Sequence, residues 1–275
     1  MNFEFSEEQQ MLREQARGFL TEHCSTSVVR AVLDSNEDWD AGLWKKVADM
    51  GWTATVIPEA YGGLGLSYYE LAILAEEMGR SAAPLPFSSS LYLASEAIRH
   101  FGNESQKSEW LPKLASGECV ATVAMAERAG RLVLDQLQTR RTDSQITGHK
   151  VPVADASVAD VAVVLARSDQ GLEACLVPLK QEGVVISPVL TFDTSRGHSA
   201  ITFDRADAQA LGDAPLDPAD WERVIDGAAV LFAWEQLGVA ESALIQARDY
   251  ALQRFAFGRA IGSYPVSYTH LTLPT

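Results

Sequence analysis

Residues 221–261 read WERVIDGAAVLFAWEQLGVAESALIQARDYALQRFAFGRAI, a stretch that no proline interrupts before Pro265. It exceeds the usual length of a helix in a globular protein. Apolar residues recur at Val224, Ala228 and Leu231, and again at Leu237, Ala240, Leu244 and Ala247, which is helical spacing. Small residues crowd the same stretch: Gly227, Ala228, Ala229, Ala233, Gly238, Ala240 and Ala243. Side chains that small let another backbone come close, so the stretch is predicted to be a long helix inside a bundle, ending at Gly258. Around that stop lie Arg254, Phe255, Phe257 and Arg259. A guanidinium there suits phosphate oxygens, and it equally suits the negative end of a helix in water.

Upstream, helical signals dominate as far as Gly117. Ser6-Glu7-Glu8-Gln9 has capping-box spacing, and Leu12, Ala16, Phe19 and Leu20 share one face behind it. Asp40 starts a short helix with Leu43, Val47 and Met50 inward and Gly51 as its stop. Residues 58–67, PEAYGGLGLS, form a tight loop, and Ser67 with Glu70 opens the next helix, with Leu71, Leu74, Ala75 and Met78 inward and its end at Gly79. The glycines could suggest a phosphate cradle, but no P-loop lysine follows and no strand with a G-x-G-x-x-G turn precedes, which favours a turn between helices. Residues 81–86 read as a linker before a helix carrying Leu91, Ala94, Ile98 and Phe101 with a stop at Gly102. Asn103 caps the next helix, with Gln106 at its third position.

From Cys119 to Leu211 the period shortens. Runs of strand length appear at 120–124, 161–165, 174–179, 184–186 and 200–203, separated by turns at 168–171 and 194–197. No long helix fits between them, so the sheet is expected to be mainly antiparallel, which excludes a Rossmann domain. The chain is thus α+β: a helical domain at 1–117, a β domain at 118–215, the first helix of a further helical domain at 216–264, and an atypical tail at 265–275.

The 275 residues suffice for two or three cores, and 47% apolar with 21% charged is ordinary for a soluble protein. A net charge of −15 argues against nucleic acid or an anionic membrane as partner. No apolar run approaches the length of a bilayer span, and the acidic N-terminus lacks the regions of a signal peptide. Cys24, Cys119 and Cys175 show no C-x-x-C spacing and the five histidines no H-E-x-x-H, so a reducing cytoplasm is expected and no metal site.

Three phrases in order carry a resemblance: P-E-x-Y-G-G-L-G-L-S at 58–67, W-L-P-x-L-A-S-G-E at 110–118, and R-x-x-F-G-R-x-I-G at 254–262. Together they resemble the acyl-CoA dehydrogenases, flavoproteins whose order of helices, small β domain and helices spans almost this whole chain. The resemblance implies FAD as cofactor and α,β-dehydrogenation of an acyl-CoA thioester, with an electron-transfer flavoprotein or similar acceptor, in a homo-oligomer or with a related subunit. It places Arg254 on the FAD diphosphate of a neighbouring subunit and Phe257 against the flavin or its linker.

The chain departs from the family's pattern in its β domain. The family's Thr-Glu-Pro-Gly-x-Gly-Ser-like turn becomes Met125-Ala126-Glu127-Arg128-Ala129-Gly130-Arg131-Leu132, so Ala126 and Leu132 replace two hydroxyls. Its Trp-x-Thr becomes Pro152-Val153-Ala154, so Pro152 and Ala154 replace an aromatic and another hydroxyl. The base glutamate of most members lies beyond the last residue here, and in a minority thirty residues before the glycine matching Gly258, where this chain has Ala228. No catalytic residue is therefore assigned; Glu222 and Glu235 read as helix-surface charge. Residues 265–275, with no helical period, read as a foreign or frame-shifted end on a shortened gene. Two readings follow, a flavoenzyme whose base lies elsewhere and a degenerate subunit of a heteromer. A non-enzymatic helical interaction protein is a third. An uncovered apolar face on the long helix is expected to make the chain associate.

Overall fold

The computed structural model describes residues 4–264, except 36, 129, 131 and 194. The N-terminal part is helical: α1 (Glu7–His23), α2 (Thr26–Leu33), α3 (Ala41–Asp49), α4 (Tyr68–Arg80), a π-helix (Ser88–Ser95) running into α5 (Glu96–Phe101), and α6 (Glu104–Ala115). Local chemistry sets the starts. Ser6, Ser67 and Asn103 each form a reciprocal capping box with Gln9, Glu70 and Gln106, and Asp40 accepts from the Leu43 amide at 2.8 Å. Gly51 (φ 76°) turns the chain after α3, and α4 runs one residue past its expected end. Met50 is exposed, because α3 ends at Asp49 and its last buried residue is Val47. The 81–86 linker is no surface tether: Ala83, Leu85 and Phe87 are buried beside α4.

The β domain is one sheet in the order β6 (Val184–Pro188), β7 (His198–Asp207), β3 (Gln145–Ala154), β2 (Arg140–Thr142), β4 (Val161–Ser168), β5 (Gly171–Pro178), β8 (Gln209–Ala210), with β1 (Ala121–Ala124) alongside β4. Pairing is antiparallel except β1 with β4 and a single β2–β4 pair, in line with the expected architecture. β2 and β3 are unforeseen strands, although β3 pairs along most of its length with β7. Gly148 cannot carry a side chain, since a Cβ there would lie 2.5 Å from the Thr139 hydroxyl oxygen. The ladder also shifts register between Lys150 and Val153.

The long helix, α7, runs Pro218–Gln253 behind an Asp217 cap. It stops before Gly258. Arg254 is extended, and Phe255–Ala256 and Arg259–Ala260 pair as a two-stranded hairpin, β9 and β10, whose turn holds Phe257 (φ 53°) and Gly258 (φ 81°). Gly258 therefore makes a hairpin and not a helix cap.

The buried stripe of α7 is Trp221, Val224, Ala228, Leu231, Glu235 and Gly238, continuing at helical spacing through a glutamate. Leu237, Ala240 and Ala247 lie outside the stripe and are exposed, as are Gly227, Ala229, Ala233 and Ala243 among the small residues. The close approach is real but narrow. A Cβ on Gly79 of α4 would lie 1.9 Å from the Glu235 carbonyl oxygen, and one on Gly238 1.9 Å from that of Glu76. By length and composition α7 could cross a membrane, correcting the expectation that no run approaches that length. Its middle is instead locked against α4, and its stripe carries an ion-paired glutamate. Below the crossing, α1 is tied to α4 by Arg13–Glu76 (2.8 Å) and Arg17–Glu77 (2.7 Å).

Candidate functional site

Five of the residues singled out from sequence come together at one edge of the sheet. β1 ends at Ala124, and the segment after it passes the far end of β3: the Val151 amide donates to the Ala126 carbonyl at 2.8 Å, and the Thr122 hydroxyl donates to the Ala154 carbonyl at 2.6 Å. Met125, Ala126, Leu132 and Ala154 are half-buried, and Pro152 is exposed. Ala126 and Leu132 line an open cleft of about 500 Å³ with Glu127, Arg128, Asp135 and Gln138. Ala129 and Arg131 lie outside the described residues, as does the 265–275 tail.

Behind this rim sits a pair that sequence reading did not find. Lys150 projects from β3 with no exposed surface; its ammonium donates to the Met125 carbonyl at 2.9 Å and to Glu127 Oε1 at 3.1 Å. Glu127 also accepts from the Gln138 and Thr139 amides at 2.7 and 2.8 Å, closing the segment into a loop. Burial brings the Lys150 pKa down to about 8, with Glu127 opposing the fall. Burial pushes the Glu127 carboxyl up, but hydrogen bonds from Thr139 and Gln138 and the nearby ammonium outweigh it and bring the pKa to about 2.

The rim offers apolar surface and backbone groups, and its hydroxyls are absent at Ala126 and Ala154. Arg128 is the one cation on the described lining, against the carboxylates Glu127 and Asp135. A flavin ring could rest on such a wall. A diphosphate does not fit here without a cation brought from elsewhere.

Arg254 and Phe257 are not at this rim. Arg254 lies about 28 Å along the helix from Glu235 at 1.5 Å per residue. Its guanidinium is exposed and forms no hydrogen bond or ion pair among the described residues, while Phe257 is almost fully exposed. The surface beside them is not closed, since Tyr250, Leu252 and Phe255 are exposed as well, and Val230, Leu237 and Val239 are exposed farther back along α7. Ala228 is buried and brings no carboxylate. Glu222 is on the surface as expected, but Glu235 is not; it is buried and ion-paired with Arg196, a partner that helical periodicity could not place.

Comparison with known proteins agrees with this architecture. Residues 6–118 match the family described as acyl-CoA dehydrogenase, N-terminal domain. The acyl-CoA dehydrogenase IpdE2 of Mycobacterium tuberculosis is 30% identical over 259 residues, covering 94% of this chain and 68% of that protein. Among solved structures, the steroid acyl-CoA dehydrogenase Tcur3481-Tcur3483 superposes with a TM-score of 0.84 at 30% identity, covering 96% of this chain and 72% of its own. An acyl-CoA dehydrogenase from Bacillus anthracis complexed with FAD shares the fold, with a TM-score of 0.89 at 24% identity over 98% of this chain and 48% of its own. The sequence phrases, the helix–sheet–helix order and these likenesses agree: the chain belongs to the acyl-CoA dehydrogenase family.

Proposed function

We propose that this chain is a subunit of an FAD-dependent enzyme for the α,β-dehydrogenation of an acyl-CoA thioester, and that its own described residues do not remove the α-proton. The observation that carries the proposal is the split between the rim and Arg254. The rim has an apolar wall whose one described cation, Arg128, shares the lining with Glu127 and Asp135, and Arg254, exposed and without an ion pair among the described residues, stands at the end of α7. A site assembled from two chains reconciles the two. One chain lends the wall at Met125, Ala126, Leu132, Pro152 and Ala154; the other lends Arg254, with Phe257 beside it.

Flavin, where bound, would accept the hydride from the β-carbon. The chain's own residues orient and exclude water: the Lys150–Glu127 pair fixes the 125–139 loop, and the β1–β3 hydrogen bonds fix Ala154. The base is not at Ala228, and Glu235 Oε1 is committed to Arg196. This favours a partner-dependent subunit, a reading supported by the two-component name of Tcur3481-Tcur3483. An electron-transfer flavoprotein or similar acceptor would reoxidise the flavin, in the cytoplasm.

Gel filtration tests the proposal. The chain purified alone is expected to be colourless or nearly so, and to retain flavin absorbance when prepared with a related acyl-CoA dehydrogenase subunit. Arg254→Ala should abolish that retention without changing the fold. Flavin held equally well by the Arg254→Ala protein overturns the shared site.

A further inference from the structure

The hairpin after α7 carries a second arginine that the functional reading leaves unused. Arg259 pairs with Ala256 and Ala260 with Phe255, and the Ile261 amide donates to the Arg254 carbonyl at 2.8 Å, so Arg254 stands opposite Ile261. Side chains alternate along a strand, which puts Arg254, Ala256, Arg259 and Ile261 on one face and Phe255 with Ala260 on the other. Arg254 and Arg259 are therefore diagonal neighbours, about 7–8 Å apart. Both are exposed, and neither side chain forms an ion pair among the described residues, in a chain with 37 acidic residues against 22 basic ones. Arg248, farther back on α7, is already paired with Asp249 at 2.7 Å.

Like charges side by side without a counter-ion are unfavourable, yet the fold holds one of them in place. The Arg259 guanidinium lies over the Tyr264 ring, 3.9 Å from its centre. The Tyr264 hydroxyl donates at 3.2 Å to the carbonyl of Ala256, the residue opposite Arg259, so one tyrosine ties both strands. A cation–π contact uses the face of the guanidinium and leaves its in-plane N–H donors free along the edge. The side chain is thus ordered in advance of any ligand while every donor stays open. The turn holds Phe257 at φ 53°, a conformation that suits Asn, Asp or Gly better than a bulky aromatic, and leaves that side chain almost fully exposed. The helix dipole accounts for one cation at the end of α7; it accounts neither for the aromatic seat nor for a second cation on the facing strand.

Two neighbouring forks match an anion with two phosphoryl groups. A lone phosphate or carboxylate is satisfied by one guanidinium, whereas a diphosphate presents oxygens to both. The net charge of −15 disfavours the polyanionic alternative, a nucleic acid. We propose that Arg259, seated on Tyr264, is a second diphosphate-binding residue that completes, with Arg254, a two-guanidinium grip on one face of the β9–β10 hairpin. Tyr264 is its positioning residue. The inference rests on the functional reading where it gives the grip to the flavin's diphosphate; the pairing of the two arginines stands on the hairpin alone. FAD and coenzyme A both carry a diphosphate, and the test separates them.

Inorganic pyrophosphate is titrated into the full chain at fixed ionic strength, with the arginine Nε–H signals followed by NMR. One pyrophosphate per chain is expected to move the Arg254 and Arg259 signals along a single binding curve. Arg254→Ala and Arg259→Ala should each weaken binding about tenfold. Tyr264→Leu keeps both charges, removes the seat and should weaken it about threefold; Tyr264→Phe, which keeps the ring, should recover most of that loss. The proposal is overturned by two independent binding curves, by unchanged affinity in Arg259→Ala, or by no binding of pyrophosphate. FAD and dephospho-coenzyme A are titrated in the same way. Preference for FAD supports the grip and the functional reading together, and preference for dephospho-coenzyme A supports the grip while taking Arg254 away from the flavin. In the flavin-retention experiment, loss with Arg254→Ala but not with Arg259→Ala defeats this inference and leaves the functional reading standing.

Discussion

At the crossing of α4 and α7 two backbones touch with no side chain between them, whereas at the sheet edge a charged side chain is held by two partners from the segment that follows β1. Gly79 and Gly238 meet the carbonyls of Glu235 and Glu76; Lys150 is enclosed by the Met125 carbonyl and the Glu127 carboxylate. The first place tolerates no added atom and the second tolerates no lost one. Substitutions that treat the two alike should therefore have unlike consequences.

The largest effect is expected at the edge. Glu127→Ala leaves a buried ammonium with one carbonyl and takes the acceptor from the Gln138 and Thr139 amides. Removing one partner of a buried pair costs about 3–5 kcal/mol, and denaturant unfolding should show a loss of that order. Adding Lys150→Met should recover most of it. A single variant within about 0.5 kcal/mol of wild type would mean the rim is not held by this pair.

At the crossing the expected loss is smaller, about 1–3 kcal/mol for Gly238→Ala. Replacing a helical glycine by alanine ordinarily gains up to about 1 kcal/mol, so the sign here rests wholly on the clash with the Glu76 carbonyl. Gly79→Ala should behave likewise, and the double variant should lose less than the sum, since each glycine relieves the same approach. An unchanged unfolding midpoint for either would place the two helices farther apart.

The edge pair also fixes how stability follows pH. Glu127 titrates near 2 in the folded protein against an ordinary 4.5, so its contribution is complete above pH 4.5 and is lost as pH falls toward 2. Lys150 titrates near 8 against 10.5. Between those values the unfolded chain holds a proton the folded one has released, so this group makes stability rise from pH 8 to 10.5. Lys150→Met should flatten the alkaline rise, and a rise that persists in that variant must come from another group.

The two places also differ in how far they could be read in the sequence. Crowded small residues announced the crossing, because a glycine's effect is local. Which of them touched could not be told, and the stripe was missed where Glu235 broke its apolar pattern. The capping boxes at Ser6, Ser67 and Asn103 were legible for the same reason: donor and acceptor lie three residues apart. β3 was not. Its glycine, its buried lysine and its proline each argue against a strand, and each becomes sensible only beside Thr139, Glu127 or β7, which are distant in sequence or separated by a turn. The Arg196–Glu235 pair, 39 positions apart (235 − 196), was hidden similarly. The reach of Arg254 toward the surface was compatible with both of its readings from sequence.

The smallest expected effect lies on α7 itself and isolates the cause of the second. Gly227 is on the same helix as Gly238, eleven residues earlier (238 − 227), and a Cβ there meets nothing within 4 Å. Gly227→Ala therefore keeps the gain in helix propensity and meets no opposing carbonyl, and should stabilise by about 0.5–1 kcal/mol. The same substitution on one helix is then expected to have opposite signs, with only the neighbour changed. Should both alanines destabilise, exposed positions of α7 are not open in solution. The face that carries Val230, Leu237 and Val239 would then be covered by another chain, which sedimentation of the wild-type protein would show as association.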